Sequence, residues 1–149
     1  MRTMAVVLSA ATLAGVGLAT PAASRRLTVT QAQATLRRDG AAVKPTLLTW
    51  QTTARRATAT TTGLVLWDAA RPLVRTLGRY QTQLRRTLWP LRAEASALRF
   101  ATAVGHFRAA LALVLWAHRA PRAWQRLYAA TEGRFVQTAT ALGRALGLG

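Results

Sequence analysis

The chain has 149 residues, 21 Lys+Arg against 4 Asp+Glu, a formal net charge of +17 and no cysteine. Disulfides and thiolate metal sites are therefore excluded, and so is a surface of evenly mixed charge. A mean hydropathy of +0.14 on so basic a chain calls for a partner that is both apolar and anionic, which a membrane surface satisfies better than nucleic acid or water. Every cation but Lys44 is arginine, and Ile and Asn are absent. Scarcity of three residues with AT-rich codons reads as a GC-rich genome, so the arginine bias does not separate lipid phosphate from RNA phosphate.

Residues 1–24 carry Arg2, an apolar stretch from Met4 to Ala19, and a small-residue exit before Arg25-Arg26. A secretory signal, a mitochondrial address without acids, and an uncleaved anchor all fit this pattern. Met4 to Ala23 would span roughly 30 Å as a helix, enough for the hydrocarbon layer. Ala11, Gly15 and Ala19 form a small-residue face suited to close helix packing.

Residues 25–63 read as a basic, Thr-rich linker with a short helix from Thr30 to Arg38 closed by Gly40. The run Thr58 to Gly63 reads as a joint. The prolines predict helix starts near Pro72, Pro90 and Pro121, because proline fits a first helical turn and disrupts an interior one. No period-two alternation is sustained, so the expected class is all-α: an extended set of amphipathic, interfacial helices with one or two marginal transmembrane helices, not a compact globule.

Residues 64–99 carry the clearest periodicity. Leu77, Leu84, Leu91 and Leu98 recur every seven residues, beside a parallel row of Leu66, Leu73 and Tyr80. Arg85, Arg92 and Arg99 repeat at the same interval, flanked by Arg75, Arg79 and Arg86. This predicts one amphipathic helix, bent at Pro90, with leucines toward acyl chains or a partner helix and arginines toward phosphates. Arg75, Arg79, Arg85, Arg86, Arg92, Arg99 and Arg119 are the candidate lipid-phosphate ligands, with cardiolipin a natural counterion for the middle of the row.

Residues 100–119 form the most apolar run, with Arg99 and Phe100 at one edge and Trp116, His118 and Arg119 at the other. That order suits a membrane-embedded helix, with Trp89, Phe100, Trp116 and Trp124 as interface anchors. Arg108 lies near the middle, where insertion would cost roughly 2.5–3.5 kcal/mol. His106 and Arg108 are therefore expected to be buried against protein or a lipid head group. The competing reading is a core helix that shows these two residues to water. Residues 120–149 predict a further amphipathic helix that frays at its glycine-rich end.

Chemistry has little local signature. The carboxylates Asp39, Asp68, Glu94 and Glu132 are scattered, His106 and His118 fall out of phase on a helix, and no phosphate-cradling glycine loop occurs. No catalytic residue, metal site or cofactor is expected. The expected function is a non-catalytic accessory subunit of a large mitochondrial inner-membrane complex, ATP synthase or a respiratory-chain complex foremost, partnered by other subunits and anionic phospholipid. An RNA-binding organellar ribosomal protein is the alternative, and nucleic acid fits less well. A bacterial membrane or secreted protein is the third reading.

Overall fold

A computed structural model describes residues 25–57, 61–119 and 121–148. The anchor or targeting reading of residues 1–24, and residues 58–60 of the Thr-rich joint, lie outside the described residues. Among the described residues 86% are helical and none is in a strand. The elements are α1 (Val29–Arg56), α2 (Gly63–Arg86), α3 (Leu91–Ala112) with a 3-10 extension (Leu113–Trp116), and α4 (Pro121–Ala145).

α1 starts at a capping box. The Thr28 hydroxyl accepts from Gln31 N at 3.2 Å, and the Gln31 carboxamide oxygen accepts from Thr28 N at 2.9 Å. The helix does not stop at Gly40 as the sequence suggested; it runs through Pro45 to Arg56. Its buried side chains Ala32, Val43 and Trp50 are spaced at whole helical turns, so one apolar face continues through the proline. Pro45 is exposed, so water can serve the carbonyl that its missing N–H leaves open.

α2 begins at Gly63, capped by the Thr62 hydroxyl, rather than near Pro72. Ala70, Leu73, Leu77, Tyr80 and Leu84 are buried at alternating three- and four-residue steps. Pro72 sits on the exposed side of that stripe, where continued burial offsets its disruption.

Between Arg86 and Leu91 the helix ends instead of bending. Trp89, 2% exposed, folds back so that its indole N–H donates to Leu84 O at 2.8 Å. Leu27 N donates to Leu88 O at 2.8 Å, and Arg26 donates to Trp89 O at 3.0 Å while pairing with Glu94 at 3.0 Å. α3 then runs antiparallel to α2: Gly63 lies beside Leu115, Gly78 beside Arg108, and Gln81 beside Gly105. The seven-residue leucine row is cut in two by this reversal. Leu77 and Leu84 are buried, whereas Leu91 is 74% and Leu98 is 51% exposed.

α4 returns along α3 and α1. Trp124 Nε1 donates to Ala110 O at 2.9 Å, and Gln33 donates to Leu146 O at 2.7 Å. The result is an up-down-up-down arrangement of four helices with α3 lying between α2 and α4. One buried cluster draws on α1, α2, α3 and the end of α4, which corrects the expected extended set. No charged or polar residue is buried among the described residues. The described arginines all lie outside the cluster, so their number does not prevent one from forming. The glycine-rich end is also more ordered than expected: Leu148 N donates to Gly143 O at 2.8 Å and Gly147 N to Arg144 O at 2.9 Å, around Gly147 at φ 76°. Those bonds define a Schellman stop.

Among the described residues one helix, Leu91–Trp116, is long and apolar enough to cross a membrane, with a mean hydropathy of 1.4 over its most apolar window. Of that window 44% is buried within the chain, because α3 also supplies Phe100, Val104, Phe107 and Leu111 to the core.

Candidate functional site

The aromatic side chains form a continuous ladder along the bundle. Ring centroids step from Trp124 to Tyr128 at 5.4 Å, to Phe107 at 5.6 Å, to Phe135 at 5.3 Å, to Phe100 at 5.3 Å and to Tyr80 at 5.7 Å. Two expected membrane anchors are therefore corrected. Phe100 belongs to this ladder and Trp89 caps the end of α2, each 2% exposed. Trp124 is half-buried with its N–H satisfied by α3. Trp116 alone of the four is exposed, at 53%, with the Arg119 guanidinium 4.5 Å from its ring centre.

The candidate phosphate ligands separate into groups. Arg75, Arg79 and Arg86 line one open groove of about 460 Å³ on α2, together with Gly78, Thr82 and Gln83. Arg85 is one position off that line, turned by about 100°, and is exposed. Arg92 is exposed on the first turn of α3. Arg99 lines a separate groove of about 510 Å³ between α3 and α4 with His106 and Arg134. His106 is thus exposed rather than buried, and Arg108 is only half-buried. The reason is their place on α3: Val104, Phe107 and Leu111 take the core face, which turns His106 toward the α3–α4 groove and Arg108 toward α2.

The acids do little to neutralise these cations. Asp39 pairs with its neighbour Arg38 at 2.9 Å, Glu94 pairs with Arg26, and Glu132 accepts from the Tyr128 hydroxyl at 3.1 Å. No other salt bridge occurs among the described residues. Arg75, Arg79, Arg86 and Arg108 make no hydrogen bond or ion pair with the described residues. Like charges four residues apart, as at Arg71, Arg75 and Arg79, destabilise a helix by roughly 0.2–0.5 kcal/mol per pair. An anion in the groove would remove that cost and take bidentate hydrogen bonds.

Sequence reasoning missed Gly78. A β-carbon there would lie 2.8 Å from Arg108 Nη1, so the glycine makes room for a guanidinium from the neighbouring helix. No sequence signal separates this glycine from one that merely dilutes a helix; the pairing depends on the register of α2 against α3. No group of three His, Cys, Asp or Glu able to hold a metal lies among the described residues. The chain matches no known protein family, no curated protein and no solved structure.

Proposed function

We propose that this chain is a non-catalytic accessory subunit that works at an anionic membrane surface, within a multi-subunit complex of the mitochondrial inner membrane. ATP synthase and the respiratory-chain complexes are the foremost hosts, and cardiolipin is the foremost lipid. The observation that carries the reading is the unneutralised arginine face of α2, where Arg75, Arg79 and Arg86 share a groove without an acid. Phosphodiester head groups supply the missing charge, at about 1 kcal/mol for each arginine near the surface.

Two further features support contact with lipid. Leu64 and Val65, exposed at 68% and 53%, lie at the end of the bundle where Leu113 and Trp116 are also exposed. Their apolar side chains suit the head-group boundary, and Arg119 above Trp116 suits its phosphates. Among the described residues α3 with its 3-10 extension is the helix both long and apolar enough to cross a membrane. With α2 and α4 packed on it, however, immersion would carry arginines such as Arg79 and Arg134 toward hydrocarbon, at a few kcal/mol each. Surface attachment avoids that cost.

RNA binding draws on the same charge but lacks a stacking platform, since most of the aromatic rings are spent in the core ladder. Sedimentation decides between the two readings. The full chain is expected to pellet with phosphatidylcholine vesicles containing cardiolipin and to stay in solution with phosphatidylcholine alone. Mitochondrial membranes treated with ribonuclease are expected to retain it. Release by ribonuclease, with no affinity for the cardiolipin vesicles, overturns the proposal.

A further inference from the structure

A fourth arginine, from α3, comes up against Gly78 at the edge of the α2 groove. Arg108 leaves the middle of α3, crosses the helix interface, and brings Nη1 to 2.8 Å from the place a Gly78 β-carbon would occupy. Gly78 lines the same groove as Arg75, Arg79 and Arg86. A side chain at 78 would force the Arg108 guanidinium to shift from this position. Arg108 is half-buried, in the most apolar stretch of the chain, and has no acceptor among the described residues. No side-chain nitrogen without a partner is buried among the described residues, so the Arg108 guanidinium keeps contact with solvent and stays open to an anion. Asp39 lines the adjoining groove with Arg79 and Tyr80, and Arg38 already pairs with it.

We infer that Arg75, Arg79, Arg86 and Arg108 form one binding site for a phosphate-bearing ligand, with Gly78 as the opening through which Arg108 reaches it. Three guanidinium forks line the groove and a fourth, from α3, lies against Gly78 at its edge, which suits the several oxygens of a diphosphate or of a head group with two phosphates. Arg85, Arg92, Arg99 and Arg119 are not part of the site. The inference deepens the membrane-surface reading and rests on it for the lipid form of the ligand; the shared chemistry is the phosphate oxyanion.

The test uses the full chain, with inorganic pyrophosphate in titration calorimetry and cardiolipin-doped phosphatidylcholine vesicles in sedimentation. Arg108→Gln removes the fourth cation. Gly78→Ala leaves every charge in place but sets a methyl group against Arg108, and alanine favours the helix, so the fold survives. Each variant is expected to weaken binding about tenfold or more, the scale of one charge-assisted phosphate contact. Arg134→Gln, in the α3–α4 groove, is expected to bind as the wild type does.

Weakened vesicle binding with no pyrophosphate binding in the wild type supports the site and identifies a lipid head group as its ligand. Pyrophosphate binding that both variants weaken, with vesicles ignored throughout, supports the site and removes the membrane reading. Wild-type affinity for both probes in Arg108→Gln and Gly78→Ala overturns the site and leaves the membrane reading standing. A wild-type chain that binds neither probe overturns both.

Discussion

The Trp50 indole N–H donates to the Tyr128 hydroxyl at 3.0 Å, and that hydroxyl donates in turn to Glu132 at 3.1 Å. Trp50 is fully buried and its ring also meets Trp124 edge-on at 6.5 Å. α1 and α4, the helices most distant in sequence, are joined by this contact and by the Gln33 bond to Leu146 O. Tyr128→Phe keeps the ring but leaves a buried indole N–H without an acceptor. The expected loss is about 1–3 kcal/mol in urea unfolding. An unchanged midpoint would mean that water reaches Trp50.

The same hydroxyl sets a pH limit. Burial raises the Tyr128 phenol from 10.0 to about 12, with the Glu132 charge and hydrogen bond adding and the Trp50 hydrogen bond opposing. Burial, and secondarily Asp39, pushes the Tyr80 phenol up as well. In the unfolded chain both ionise near 10, before their folded counterparts do. The unfolded state therefore loses protons first, and stability, fully present below pH 10, falls as pH climbs toward 12. The Tyr80→Phe/Tyr128→Phe double variant is expected to flatten that decline in urea unfolding at stepped pH. A decline of the same slope in the double variant would place its source elsewhere.

Leu84 and Leu91 look equivalent in the sequence, being successive members of one seven-residue row, yet they differ completely in the fold. Leu84→Ala is expected to cost about 2–5 kcal/mol, since its side chain is 1% exposed. Leu91→Ser and Leu98→Ser, at positions 74% and 51% exposed, are expected to stay within about 0.5 kcal/mol of the wild type. Thermal unfolding measures all three. A large loss at Leu91 would restore the single continuous stripe.

That contrast shows what was legible. Helical class, the starts at Pro90 and Pro121, and the basic face around Arg75 and Arg79 follow from local pattern alone. Pro72 misled because proline disrupts a helix only when nothing compensates, and it sits on the exposed side of a face that keeps burying apolar groups. Trp89 and Phe100 look interfacial in the sequence because a flanking aromatic looks alike whether it meets lipid or core. The meeting of Arg108 with Gly78 was out of reach, since it depends on how two helices register after a reversal that composition does not specify.

The glycines sort by what surrounds them. Nothing lies within 4 Å of a β-carbon placed on Gly40 or Gly133, and both sit inside helices. Alanine at either is expected to add about 0.5–1 kcal/mol by restricting the unfolded chain and favouring the helix. Gly147 has φ +76°, and alanine there is expected to cost about 1–2 kcal/mol through the left-handed backbone. Gly40→Ala and Gly133→Ala should raise the thermal midpoint and Gly147→Ala should lower it. A stabilising Gly147→Ala would mean that the Schellman stop is absent in solution.

The arginine face also predicts a conflict between stability and binding. Arg71, Arg75 and Arg79 follow one another at four-residue steps on α2, so Arg75 is repelled from both sides. Arg75→Glu replaces two repulsive pairs by two attractive ones, for an expected gain of about 1 kcal/mol. Added sodium chloride is expected to raise the wild-type midpoint by screening the same repulsion and to raise that of Arg75→Glu less. Vesicle binding should change in the opposite direction, because the variant puts a carboxylate where a phosphate oxygen is to sit. A residue that lowers stability yet strengthens phosphate binding is kept for its ligand. If Arg75→Glu instead destabilises the bundle, Arg75 has an acceptor within the fold and the groove is not an open anion site.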